Sequence, residues 1–308
     1  MTKRRLIIAT RESPLALYQA EWVKAALLAY HPYLSIELLG MTTAADKHLD
    51  SALTTIGGKG LFVKELEEAL LNGQADIAVH AMKDVPMELP PGLCLPVITE
   101  RQEARDVFLS NQYSSLKELP RGAIIGTSSL RRQTQVRAMC LDIELQNLRG
   151  NIQTRIHRLD RGDFDAIILA GAGIIRMNLT SRIRHYFSVE HILPAAGQGA
   201  LGIECREQDE QMKEMIAPLN HTITYACVIA ERAMCRYVGG GCQVPVASYA
   251  EIHHDVLSLR GLVASHDGVF VLRAASQGIS AQAETIGIRV AYELLQQGAD
   301  KILRDFKV

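Results

Sequence analysis

The 308-residue chain predicts an α/β protein: two α/β units in series, then a small α+β domain. Three observations carry that prediction. Short apolar runs that read as buried strands alternate with longer segments that read as helices, and the alternation occurs in two successive stretches. Arginines and hydroxyl residues recur where a strand run gives way to a helix start. From about Thr222 the texture changes to a helix, three strand-like runs and a closing helix. Strand and helix in alternation imply layered sheets with largely parallel strands.

The elements follow in order. Leu6–Ala9 reads as a strand, and Ser13-Pro14 starts a helix through about Tyr30. Proline suits a first helical turn. His31-Pro32 ends the helix, and Ser35–Leu39 is the next strand. Gly57-Gly58-Lys59-Gly60 precedes an amphipathic helix over Phe62–Leu71. Asp76–His80 is a strand with Ala81–Val85 as its exit. The second stretch gives strands at Ala123–Gly126, Ile143–Asn147 and Asp165–Ala170. Helices follow them at Ser128–Met139, Asn151–Arg161 and from Gly173. Joins are expected near Thr99–Gln102 and Pro194–Gly199. The last part gives a helix through Cys235, strands near Val246–Ile252, Val256–Val263 and Val269–Ala275, and a helix over Ala281–Gln297.

Composition excludes several classes. The chain is 48% hydrophobic, enough for sizeable cores. Its 33 Lys and Arg are balanced by 34 Asp and Glu, so a protein coating nucleic acid is not expected. The six cysteines show no Cys-x-x-Cys spacing and predict reduced thiols in a cytoplasmic protein. The apolar run at the start is too short for a signal peptide, and no stretch is long enough to span a membrane.

The chemistry-bearing groups lie mostly where strands end. Gly126-Thr127-Ser128-Ser129-Leu130-Arg131-Arg132 is strand, turn and helix start, where backbone N–H groups and the helix dipole favour an anion. Leu148-Arg149-Gly150-Asn151 with Arg155, Ala170–Arg176 and Arg11-Glu12-Ser13-Pro14 repeat the arrangement. Ligands of open parallel sheets bind beyond the carboxyl ends of the strands. Arginine takes carboxylates in a two-pronged grip, so the implied ligand is small and carries several acids. His80-Ala81-Met82-Lys83-Asp84-Val85-Pro86 puts a carboxylate at another strand exit, suited to stabilising a cation or moving a proton. Gly239-Gly240-Gly241-Cys242-Gln243-Val244-Pro245 mounts a thiol where bulky groups can approach. Other patterns fail. Gly197-Gln198-Gly199-Ala200-Leu201-Gly202 matches a dinucleotide fingerprint by letters but runs into a strand. His253-His254 reads as a surface strand, and no metal site is supported.

Six motifs resemble those of the porphobilinogen deaminase (hydroxymethylbilane synthase) family, in family order and over nearly the whole chain. They are Arg11-Glu12-Ser13-Pro14-Leu15-Ala16, Gly57-Gly58-Lys59-Gly60-Leu61-Phe62, Lys83-Asp84-Val85-Pro86, Gly126–Arg132, Leu148–Asn151 and Gly240–Pro245. The resemblance implies two α/β domains like those of periplasmic binding proteins, plus a small α+β C-terminal domain. Their bounds would be 1–99 with 200–217, then 100–199, then 218–308. It implies a transferase that joins four porphobilinogen molecules head to tail, releases ammonia each time, and frees hydroxymethylbilane with water. It also implies a dipyrromethane cofactor in thioether linkage to Cys242.

By the same resemblance Asp84 is catalytic, stabilising the cation left when ammonia departs. Lys83, Asp84, Thr127, Ser128, Ser129, Arg131, Arg132 and Gly150 bind the cofactor. Arg11, Ser13, Arg149, Arg155, Arg176, Lys59 and Asp46 bind substrate, and the loop through Lys59 would serve as a lid. The protein would be a monomer with porphobilinogen as its small-molecule partner, and with neither nucleic acid nor membrane. Ala81 stands where many members have serine, and Thr43-Ala44-Ala45-Asp46 lacks a frequent Arg-Gly. Gly239 is read as neutral. Two other classes remain at this stage. A non-catalytic binder of small anions would suit the arginines but leaves Cys242 unexplained. A thiol-dependent acyl-transfer enzyme needs a histidine base that the sequence does not place.

Overall fold

The computed structural model describes residues 4–43, 63–139, 142–241 and 244–306. The chain divides into two compact units, Met1–Arg101 with Ala200–Tyr225, and Gln102–Gly199 with Ala226–Val308.

The first unit opens with β1 (Arg4–Arg11), α1 (Pro14–Tyr30) and β2 (Leu34–Met41). The Ser13 hydroxyl caps α1 by accepting from the Ala16 N–H at 3.4 Å, and Pro14 occupies the first turn. There follow α2 (Lys64–Leu71), β3 (Ile77–Ala81), a 3-10 turn over Met82–Asp84, and β4 (Leu93–Ile98). The second unit contributes β5 (Asp106–Leu109), β6 (Ile124–Gly126), α3 (Leu130–Met139), β7 (Glu144–Gln146) and α4 (Ile152–Asp160). It continues with β8 (Ala166–Ala170), α5 (Gly171–Arg176) and β9 (His185–Tyr186). The chain then returns to the first unit for β10 (Leu201–Arg206) and α6 (Glu210–Ile216). Helix α7 (Thr222–Val238) leads to β11 (Val246–His253), β12 (Val256–Ala264), β13 (Val271–Ile279), α8 (Ala283–Gln296) and α9 (Ala299–Arg304).

Two five-stranded sheets have orders β2-β1-β3-β10-β4 and β7-β6-β8-β5-β9. They correct the expectation of largely parallel strands. The β1–β2, β1–β3, β6–β7 and β6–β8 pairs are parallel, whereas β10 runs antiparallel to β3 and β4, and β5 to β8 and β9. A parallel neighbour needs a crossover connection leading into it. Strands β5 and β10 are the first strands after the chain changes unit, and no helix lies between the change and the strand.

Both sheets are covered on two faces. In the first unit Ala20, Val23 and Leu27 of α1 pack on Leu6, Ile8, Ile77 and Ile203, while Leu66, Ala69 and Leu70 of α2 pack on Ala9 and Ala78. In the second, Ile156 and Leu159 join Val107, Leu109 and Ile167 on one face, and Val136 joins Phe108, Ile125 and Ile168 on the other. The small C-terminal sheet, β11-β12-β13, is antiparallel throughout. Gly287 brings α8 against α7, since a Cβ there would lie 2.4 Å from the Ala230 carbonyl oxygen and 2.7 Å from Ala233 Cβ. His254 and Asp255 have φ of 49° and 64° and form the turn between β11 and β12, with His253 opposite Val256. The histidine pair is therefore a hairpin corner rather than two residues of one strand.

Candidate functional site

In the first unit β1 and β3 are parallel neighbours, so their carboxyl ends share one edge of the sheet. Arg11 ends β1, Ser13 caps the next helix, and Lys83 and Asp84 form the turn that follows β3. All four are half-buried. The turn is anchored by buried Met82. Its N–H donates to the Ala200 carbonyl at 3.1 Å, and its side chain lies over Gly202, where a Cβ would fall 2.4 Å from Sδ. The Val85 N–H closes the turn on the Met82 carbonyl at 3.3 Å. Asp84 thus stands at a sheet edge on a braced backbone.

In the second unit the parallel strands β7, β6 and β8 present their loops at one edge. Thr127 is buried, and its Oγ1 accepts from the Ser129 N–H at 3.3 Å. Ser128 donates its hydroxyl to the Leu148 carbonyl at 2.9 Å, which ties two adjacent loops. Gly150 needs to be glycine: its φ is +102°, and a Cβ would meet Thr154 at 2.8 Å. Its carbonyl accepts from Arg155 Nε at 2.7 Å, and Arg176 Nη2 donates to the Gly199 carbonyl at 2.7 Å. Arg149, Arg155 and Arg176 are half-buried along this edge.

Arg131 and Arg132 differ from the other arginines. Each is 5% exposed, and both converge on Asp106, which is fully buried on β5. Arg131 Nη1 donates to Asp106 Oδ2 at 2.7 Å and to the Leu193 carbonyl at 2.7 Å. Arg132 donates to Asp106 Oδ1 through Nε at 3.0 Å and Nη2 at 2.8 Å, and to the Ile168 carbonyl at 3.1 Å. Gln198 Nε2 adds a fourth bond to Asp106, at 2.9 Å. Burial by itself would raise the Asp106 pKa, but the charges and hydrogen bonds of the two guanidinium groups hold it well below the usual carboxylate range. Burial lowers the Arg131 pKa, with Asp106 opposing. Two cations against one anion leave the cluster with a surplus positive charge.

Asp106 and Gln198 escaped the sequence reading. A signal existed for Asp106, a lone acid at the head of the apolar run Val107-Phe108-Leu109. His80 and Glu204 escaped it too. They are buried on adjacent strands and hydrogen-bonded at 2.8 Å.

Cys242, Asp46 and Lys59 lie outside the described residues. The approach to Cys242 is described up to Gly241. Helix α7 closes with the Gly240 N–H on the Cys235 carbonyl at 2.7 Å and the Gly239 N–H on the Arg236 carbonyl at 3.2 Å. Gly239 has φ +75°. This is a left-handed helix terminus, so Gly239 is required there and the neutral reading of it is corrected. A Cβ added at Gly241 meets no atom of the described residues within 4 Å, which leaves room beside the loop.

Comparison with known families matches two family models. "Porphobilinogen deaminase, dipyromethane cofactor binding domain" covers residues 6–214, and "Porphobilinogen deaminase, C-terminal domain" covers residues 225–296. Among solved structures the chain is similar to a nutrient binding protein from Burkholderia cenocepacia bound to methionine, at 13% identity over 69% of this chain and 90% of that one, TM-score 0.43. It is similar to an ABC transporter periplasmic substrate-binding protein from Coxiella burnetii, at 14% identity, 70% and 91% coverage, TM-score 0.44. It is similar also to lipoprotein Tp32 from Treponema pallidum, at 13% identity, 72% and 94% coverage, TM-score 0.45.

Proposed function

The chain belongs to the porphobilinogen deaminase family, and from that premise we propose how its own residues divide the work. The reaction is a head-to-tail condensation of four porphobilinogen molecules with loss of ammonia, then hydrolysis to hydroxymethylbilane, in tetrapyrrole biosynthesis. The enzyme is of transferase type, and its cofactor is a dipyrromethane.

The residues present fit a poly-acid cofactor. The Asp106 cluster retains positive charge, half-buried Ser128 and Ser129 offer hydroxyls, and the space beside Gly241 admits a bulky group. Cys242 holds the dipyrromethane through its sulfur, and when bound the group supplies the primer end that is extended. Arg131 and Arg132 act on its acids through the surplus charge of their cluster, and Thr127, Ser128, Ser129, Gly150 and Lys83 complete its seat. Arg149, Arg155 and Arg176, with Arg11 and Ser13, take the acetate and propionate of incoming substrate. Lys59 and Asp46 belong to this set by motif.

When the aminomethyl C–N bond of porphobilinogen breaks, the electron pair leaves with nitrogen and the pyrrole carries the positive charge. Asp84 accepts from the pyrrole N–H and stabilises that charge as it forms, a preplaced electrostatic role. One observation carries this choice of acid. Asp106 is fully buried between two guanidinium groups, whereas Asp84 stands half-buried on a braced turn at a strand end.

The protein acts as a monomer in the cytoplasm. Cysteine usage supports that compartment, and no helix among the described residues is long and apolar enough to cross a membrane. Residues 1–99 with 200–217, 100–199 and 218–308 serve as three working domains. The separate antiparallel sheet with α8 upon it supports the third.

Intact mass and turnover test the reading together. The purified protein should exceed its sequence mass by two pyrrole units, and Cys242→Ser should lose the excess. Asp84→Ala should keep the excess and lose nearly all ammonia release. Wild-type-like turnover in Asp84→Ala rejects the assignment of Asp84, and an unmodified mass in active protein rejects the attachment.

A further inference from the structure

We propose that His80 and Glu204 are positioning residues for Asp84: their buried hydrogen bond sets strand β3 on β10 directly behind the turn that carries it. The inference rests on the reading of Asp84 given above.

Strand register supports it. His80 lies opposite Gly202, and Ala78 opposite Glu204, so the His80–Glu204 bond is a diagonal cross-strand contact. The next contact along the same two strands is Met82 over Gly202. A directional bond and then an apolar seat lead in sequence to Lys83 and Asp84. One residue lies between the Met82 anchor and Asp84, and three lie between His80 and Asp84. A small rotation of β3 is therefore delivered to the carboxylate.

The energetics point to position rather than stability. The side chains of His80 and Glu204 are 3% and 1% exposed. Replacing a buried polar pair with apolar side chains of similar volume is often neutral or stabilising. Such a replacement would keep the two strands packed but would not fix an angle. The site also carries a visible cost. Glu204 Oε1 and Oε1 of the neighbouring acid Glu67 on α2 are both buried with no hydrogen-bond partner among the described residues. Burial, and then the charge of Glu204, push Glu67 up to about 7.

Turnover of porphobilinogen by cofactor-loaded protein tests the proposal. The double variant His80→Leu/Glu204→Met removes both polar partners and should keep fold and cofactor mass. Its kcat should fall about tenfold or more, because a displacement of about 1 Å at a reacting group can cost that much. Its KM should stay within about twofold, since substrate contacts are untouched. His80→Gln keeps an N–H able to reach Glu204 and should retain most of kcat. Wild-type kcat in the loaded double variant overturns the proposal, and so does a folded, loaded His80→Gln that loses as much as the double variant. If Asp84→Ala is inactive while the double variant is fully active, positioning fails and the role of Asp84 stands. If Asp84→Ala turns over normally, the premise itself fails.

Discussion

The two α/β units insert an antiparallel strand at the same station of their sheets, β10 in one and β5 in the other, and each strand carries a buried acid. Around Asp106 the second unit gathers two guanidinium groups and an amide. Around Glu204 the first unit gathers one imidazole and a second acid. One cluster therefore carries surplus positive charge, while the other is short of cations and keeps a proton on Glu67. The sheet order is shared, so topology alone does not set the electrostatics. The residues entering from the neighbouring helix and strand do. A cationic edge suits a ligand made of carboxylic acids, and an edge bearing Asp84 suits a developing cation.

That contrast can be broken or sharpened by measurement. The largest stability effect should come from Asp106→Ala, which strands two buried guanidinium groups. Urea denaturation should show a loss of about 3–5 kcal/mol. A cost below about 1 kcal/mol would mean the arginines re-solvate and that no surplus charge is held there.

Next comes Glu67→Gln, whose effect depends on pH. Below the ordinary value of 4.5 Glu67 is protonated whether folded or unfolded, and nothing is lost. Between 4.5 and about 7 the folded chain keeps a proton that the unfolded chain gives up, so stability falls as pH rises. Above about 7 that loss is complete. Glu67→Gln removes it, and should gain on the order of 2 kcal/mol over wild type at alkaline pH and little at about pH 5. Thermal melts at the two pH values check this, and a pH-independent difference would dissolve the comparison with Asp106.

The smallest effects should fall in the loop before Cys242. Gly239→Ala forces a side chain into a left-handed conformation and should cost about 1 kcal/mol, whereas Gly241→Ala enters open space and should cost little. Equal costs at the two positions would mean that the helix terminus is not what requires Gly239.

Much of the fold was legible in the chain because its signals are short-range. Ser13-Pro14 and Asn151 start helices by capping groups within three residues, and apolar runs such as Ile77–Val79 and Ala166–Leu169 mark central strands. Strand β4 was hidden by Pro96, which a sheet tolerates at an edge, and β4 is the edge strand. Strand β5 offers only the three apolar residues Val107-Phe108-Leu109 after a charged one, too short a run to mark a strand by itself.

The site divides along the same line. Asp84, Arg11 and the loop arginines could be named because a strand exit is readable locally, and a sheet gathers its strand exits at one edge. That Arg131 and Arg132 turn inward was not readable, since Asp106 lies 25 and 26 residues earlier. The His80–Glu204 bond spans 124 residues. Sequence by itself determined most of the helices and central strands and the chemical groups that stand at their ends, because capping, proline geometry and apolar periodicity act over a few residues. Only the tertiary structure decided strand direction, which acid is neutralised and which arginine is buried, because those depend on which strands become neighbours after long excursions of the chain.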